Sequence, residues 1–251
     1  MGNRDIHVSI TVCANSFNSV GSFDWTTDDP LNTYADAAGL HIVPTLTLDT
    51  TNITYDEMMN GYTLNLTASG QCTSTQATDC IVQSNATTQT IINPVRSARI
   101  TTQGKASITY GRIEVVAKLP RGDWLWPAIW MLPEGDVYGE WPKSGEIDLM
   151  EARGNDRVNY TWNGGGRQMA IATFHWGLNF VTDMFQLSTH QTTLRRGDFS
   201  DGFHTFGLEW SEDYIYCFLD NRLQQSVFVG FGSKLGTMWE RGGFTKQGYP
   251  A

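Results

Sequence analysis

An all-β sandwich or jelly roll is the fold class this sequence predicts, on three observations. Ten short β-rich runs follow one another with turn residues between them, no convincing amphipathic helical period interrupts them, and 251 residues are enough for one large β domain with neither linker nor repeat. In chain order the runs are LHIVPTLTL (40–48), YTLNLTA (62–68), ARITT (98–102), YGRIEVVAKL (110–119), PAIWML (127–132), GEIDLME (145–151), QMAIATFHWG (168–177), HTFGLEW (204–210), YIYCFLD (214–220) and QQSVFV (224–229). Their β-branched and aromatic residues fit a pleated, half-buried surface. LDNR (219–222) reads as a hairpin turn between the last two runs, and GGGR (164–167) as a flexible turn rather than a phosphate site. Residues 232–251 are glycine-rich and show no period-2 run.

The chemistry concentrates in SGEIDLMEARGN (144–155), where Glu146, Asp148 and Glu151 stand among apolar residues. A helix, at about 100° per residue, would scatter the three acids around its circumference. A strand puts Glu146 and Asp148 on one face, with Ile147 and Leu149 on the other, but leaves Glu151 out of phase. An unpaired carboxylate sent into the apolar layer would cost several kcal/mol. One inserted residue, a β-bulge near Met150, restores the phase. The stretch therefore reads as a bulged strand that presents three carboxylates to one cleft. Like charges on neighbouring same-face positions repel, which argues against a merely acidic surface. The run before it, GDWLWPAIWMLPEGDVYGEWP, is unusually aromatic, and acids beside indole rings suggest sugar chemistry.

From about Tyr34 to Gly248 the sequence resembles the glycoside hydrolases of family 16, within them the laminarinase-like endo-β-1,3-glucanases of fungi and invertebrates. The resemblance rests on SARITTQGKASITYGRIEVVAKLPRGDWLWPAIWMLP, WPKSGEIDLMEARGN, FHWG and FHTFGLEWSEDYIYCFLD. Its Glu-x-Asp-x-x-Glu spacing is the laminarinase form; lichenases and xyloglucan transglycosylases of the family usually lack the extra residue. The resemblance implies a concanavalin-A-like jelly roll of two curved antiparallel sheets, with substrate across the concave face. It implies a retaining cleavage of β-1,3-glucan, laminarin-like or mixed-linkage, with Glu146 as nucleophile, Glu151 as acid/base and Asp148 between them. In such mechanisms the two working carboxylates stand roughly 5 to 5.5 Å apart. At that distance an ionised neighbour contributes roughly 3 kcal/mol at an effective dielectric near 20, so Glu151 is expected to stay protonated in mildly acidic solution.

For substrate binding the resemblance points to Trp126 and Trp130, at even spacing about Pro127, to Trp141 as the cleft floor, and to Arg99 and His175 as polar groups facing the glucan. Core packing is the rival role for Trp130, and a satisfied structural histidine that for His175. His190 and His204 receive no such support. Residues 1–251 are expected to form one catalytic domain, truncated at both ends relative to the family and open at its C-terminal edge. Invertebrate β-glucan recognition proteins keep this fold while losing the acids, and all three acids are present here. Transfer of the glycosyl unit to a second sugar is the other alternative, since hydrolysis and transfer share one covalent intermediate.

A net charge of -9 without a basic run makes nucleic acid or an anionic membrane an unsuitable partner and fits a neutral polysaccharide, and no apolar run of about 18 residues is present to span a bilayer. No metal or other cofactor is expected, and the protein is expected to be monomeric. Cys72 and Cys80 bracket a Ser/Thr-rich loop that reads as closed by a short disulfide, with two reduced thiols as the alternative. Cys217, inside YIYCFLD, reads as a buried free thiol rather than a partner for Cys13. Sequons at Asn52, Asn65, Asn85 and Asn159 suit a secreted or cell-wall glycoprotein, although residues 1–11 lack the charged and apolar regions of a signal peptide.

Overall fold

The computed structural model of the chain describes residues 9–11, 14, 22–156, 166–232, 234 and 236–249. Its backbone separates into two compact units, Met1–Ser107 and Ile108–Ala251. Cys13, Asn159 and the first two residues of the GGGR turn lie outside the described residues.

The first unit is built from very short strands. These are β1 (Ser9–Thr11), β2 (Asp24–Thr26), β3 (Thr33–Asp36), β4 (Gly39–Ile42), β5 (Thr45–Leu46), β6 (Thr63–Asn65), β7 (Ile81–Gln83), β8 (Val95–Ser97) and β9 (Arg99–Thr101), with one-turn helices α1 (Thr47–Thr50), α2 (Tyr55–Met59) and α3 (Ala77–Cys80). Pro44 divides the 40–48 run into two strands, because proline cannot donate to a ladder. β2 pairs with β8 in parallel, unlike the antiparallel pairing expected throughout. The chain between them is long enough for the crossover that a parallel pair requires. Trp25, Ile53, Met58, Leu64, Leu66, Val82 and Ile92 form this unit's core. Cys72 and Cys80 are joined in a disulfide, as their spacing suggested.

The second unit carries the longer strands: β10 (Gly111–Ala117), β11 (Ala128–Met131), β12 (Glu146–Ala152), β13 (Met169–His175), β14 (Thr189–Thr193), β15 (His204–Trp210), β16 (Tyr214–Leu219) and β17 (Gln225–Gly230), followed by helix α4 (Met238–Gly242). They make two four-stranded sheets, ordered β10-β15-β16-β17 and β11-β12-β13-β14, antiparallel throughout. Two clusters fill the space between the sheets. One joins Leu149, Ala172 and Phe174 to Leu208, Ile215, Cys217, Val227 and Val229; the other joins Met150, Ala152 and Ala170 to Leu119, Phe199, Phe206 and Leu219. Burying apolar surface at about 25 cal/mol per Å² makes these clusters the main force holding the sheets face to face. Cys217 is fully buried and unbridged, and its burial pushes the thiol pKa far up. Residues 219–222 do form the turn between β16 and β17, with Asp220 at φ +62°.

Candidate active site

The phase of β12 is what gathers the acids. Ile147 and Leu149 point into the first core cluster, whereas Met150 and Ala152 point into the second. Two consecutive residues, Leu149 and Met150, are therefore both core, and the faces exchange between them. The ladders record the same irregularity: against β13 the pairing passes from Asp148↔Thr173 to Glu151↔Ile171, and against β11 the register shifts between Ile129 and Trp130. This is the bulge that the spacing demanded, and it returns Glu151 to the face of Glu146 and Asp148.

Each glutamate accepts a hydrogen bond from an indole. Trp141 Nε1 donates to Glu146 Oε2 at 2.7 Å, and Trp126 Nε1 donates to Glu151 Oε1 at 2.8 Å. Trp126 precedes β11 rather than lying in it. Trp130 pairs across from Asp148, and residues directly opposite share a face, so its ring stands on the acid side while Ile129 and Met131 pack in the core. His175 pairs across from Glu146. Its Nδ1 lies 2.6 Å from Asp183 Oδ2 and its Nε2 lies 3.3 Å from Asp148 Oδ2. The second contact has the distance of an ion pair without the alignment of a hydrogen bond, which leaves Oδ2 of the buried Asp148 without an aligned donor among the described residues. Trp141 packs at 5.4 Å from the His175 ring and 6.0 Å from Phe180.

Of the residues singled out from sequence, the second unit assembles Glu146, Asp148, Glu151, Trp126, Trp130, Trp141 and His175. Arg99 lies in the first unit, on β9 opposite Thr11. Sequence reasoning missed Asp183, which holds the far side of His175 and accepts from Trp176 N at 3.2 Å. It also missed Arg153, whose guanidinium carbon lies 4.2 Å from the Trp126 ring centroid.

A family model described as glycosyl hydrolases family 16 matches residues 68–228. The chain belongs to that family. A "Beta-1,3-glucan-binding protein" of Penaeus monodon is 42% identical over 160 residues, covering 61% of this chain and 43% of that protein. A "Glucan endo-1,3-beta-glucosidase" of Cryptopygus antarcticus is 36% identical over 162 residues, covering 61% of this chain and 55% of that protein. The chain thus spans about half the length of these two relatives. Among solved structures, the laminarinase catalytic domain from Thermotoga maritima aligns with a TM-score of 0.60 at 23% identity, covering 95% of this chain and 77% of that one. The endo-β-1,3-glucanase from Pyrococcus furiosus aligns with a TM-score of 0.61 at 22% identity, covering 95% and 74%. At these identities the likeness shows the fold, a jelly roll of antiparallel sheets.

Within this family 16 framework the electrostatics of the site set its protonation. Burial, then the Asp148 charge, push Glu146 up to about 7, against the opposing pull of His175 and the Trp141 hydrogen bond. Burial and Asp148 also raise Glu151, while the Trp126 hydrogen bond, Arg153 and His175 hold it down. For His175 burial disfavours the charge, but Asp148 and Asp183 outweigh it and raise the ring to about 9. Both glutamates therefore hold a proton above the ordinary carboxylate range, Glu146 into the neutral range. Donor atoms of Glu146, Asp148 and His175 also lie within 4.8 Å of one another, a spacing that could hold a metal ion.

Proposed function

We propose that this chain is an endo-acting, retaining glycoside hydrolase that cleaves β-1,3-glucan. The observation that carries the reading is the bulged β12, which sets Glu146, Asp148 and Glu151 on one face with an indole N–H on each glutamate. A glucan endo-1,3-beta-glucosidase among the relatives supports the substrate class. Glu146 attacks the anomeric carbon as Glu151 gives its proton to the glycosidic oxygen; the C–O bond breaks, the leaving sugar departs as an alcohol, and a glycosyl ester on Glu146 remains. Glu151, now a carboxylate, takes a proton from water, whose oxygen attacks the same carbon and releases Glu146 with net retention. The His175 cation beside Asp148 keeps the centre of the group compensated.

In this reading the whole chain is one monomeric catalytic domain. The Cys72–Cys80 disulfide and the exposed sequon asparagines Asn52, Asn65 and Asn85 support secretion or a cell-wall location. A second reading, glucan binding without turnover, is favoured by the 42% identical glucan-binding protein. One experiment separates the two. Wild type is expected to release reducing ends from laminarin, while Glu146→Gln binds laminari-oligosaccharides nearly as tightly and turns over at least about 10³-fold more slowly. Laminarin binding by wild type without new reducing ends would establish the recognition role, and products longer than the substrate would establish transfer.

A further inference from the structure

The acid face of β12 does not stop at Glu151. Beyond the strand, Ala152 N donates to Pro127 O at 3.1 Å and Gly154 N donates to Leu125 O at 2.9 Å. These bonds prolong the β11–β12 ladder and set Arg153 directly opposite Trp126. Arg153 is two residues past Glu151, so with the bulge behind it the side chain falls on the acid face. There the guanidinium covers one face of the Trp126 ring at 4.2 Å, while Nη1 is anchored on Ala152 O at 3.1 Å. The same indole donates from Nε1 to Glu151 Oε1 at 2.8 Å and keeps 47% of its surface exposed. Guanidinium, indole and carboxylate thus form one linked unit.

Direction along the strand assigns that unit to one side of the substrate. Glu151 must reach the glycosidic oxygen, and the residues past it run away from Glu146, toward the departing sugar. Trp124 lies on the same side, 85% exposed, at φ +69° and with its N–H held by Asn155 Oδ1 at 3.2 Å. A bulky residue kept in the left-handed region and presented to solvent is a conformation that persists only where its surroundings enforce it.

We propose that Arg153 is a positioning residue of the leaving-group side: stacked on one face of Trp126, it fixes the indole N–H on Glu151 and leaves the opposite indole face to the departing sugar. This rests on the glycosidase reading. Among the described residues, the charged and titratable groups around Glu151 are Asp148 and Glu146 on its own strand, His175 from β13, and Arg153 itself. β11 contributes only Ala128 and Trp130. Of the cations, Arg153 is the one that acts on Glu151 through the indole as well as through space.

The test uses Arg153→Met, which keeps the bulk without the charge, and Arg153→Lys, which keeps the charge without the planar stack. On laminarin kcat/KM is expected to fall roughly tenfold in Arg153→Met, because proton donation to a poor leaving group is impaired, and less than about twofold on an aryl glucoside whose phenolate leaves unaided. Arg153→Lys is expected to fall between the two. Parallel losses on both substrates would mean a merely structural contact and overturn the proposal. Titration of the Glu151 carboxyl carbon by ¹³C NMR, assigned with Glu151→Gln, supplies a readout independent of turnover. Its midpoint is expected to move upward in Arg153→Met and to stay with wild type in Arg153→Lys; an unmoved midpoint in Arg153→Met overturns the proposal. If wild type cleaves neither substrate, the glycosidase reading fails, and the NMR titration alone decides whether Arg153 holds Glu151.

Discussion

Glu146 and Glu151 are one amino acid made into two different reagents by what surrounds them. Both are raised by burial and by Asp148, and both are partly restrained by an indole N–H, but among the described residues only Glu151 has a guanidinium behind its indole. The roles assigned to them predict a chemical rescue. Glu151→Ala is expected to lose roughly 10²- to 10⁴-fold on laminarin, the usual scale of general acid catalysis, yet to keep substantial activity on activated aryl glycosides that need no proton. Azide should raise that activity further and yield a glycosyl azide of retained configuration. A folded variant that shows neither effect would move the acid/base elsewhere. The three acids were legible because their spacing admits only one strand geometry. Asp183 was not, since it lies eight residues past His175 in a loop where no period links the two. Which glutamate each tryptophan serves was equally hidden, because that depends on how β11 and the segment before β12 are brought together.

At the level of elements, the bulge in β12 could be deduced from a phase conflict, and the 3₁₀ and α turns could not. Helices of four or five residues are too short to show a 3.6-residue period. Two of them nevertheless had a readable local signature: Thr54 with Glu57 and Thr237 with Glu240 form capping boxes at the starts of α2 and α4. β14, THQTT, escaped because it has no apolar alternation, and the three-residue strands β1, β2, β7 and β8 because they are shorter than any pattern. A glycine in HTFGLEW carries a different message. A Cβ built on Gly207 of β15 would sit 2.1 Å from a ring atom of Phe218 on β16, a ring that is buried and capped by the Arg112 guanidinium at 5.6 Å. The ring cannot yield without disturbing the sheet face. Gly207→Ala is therefore expected to destabilise the protein by about 1–3 kcal/mol, the cost of overpacking, read as a lower urea midpoint at unchanged slope. An unchanged midpoint would show that the aromatic face is free to adjust.

For the whole molecule, composition announced a single all-β chain, and it could not announce the division at residue 107, because no change of composition or linker marks it. Composition also gave a net charge of -9 and a pI near 4.9, from which rising pH would merely add like charge. The site supplies a more specific dependence. Glu146 has a folded pKa of about 7 against an ordinary 4.5, so its stabilising proton is fully held below pH 4.5 and is lost as pH rises through 7; Glu151 shifts in the same direction. His175 rises from 6.5 to about 9, so its ion pairs with Asp148 and Asp183 contribute fully below 6.5 and disappear as pH climbs through 9. In both windows the folded state binds more protons than the unfolded chain, and stability falls with pH. Asp29, Asp198 and Glu209 are lowered by their hydrogen bonds and ion pairs and act oppositely: their contribution is present above the ordinary carboxylate range and is lost on acidification. The melting temperature is thus expected to peak near about pH 5 and to decline steadily toward pH 9. Glu146→Gln should flatten the part between 4.5 and 7, and His175→Gln the part between 6.5 and 9. A melting temperature that rises from pH 5 to pH 9 in wild type would mean that the buried charges of this site are compensated differently from what its geometry implies.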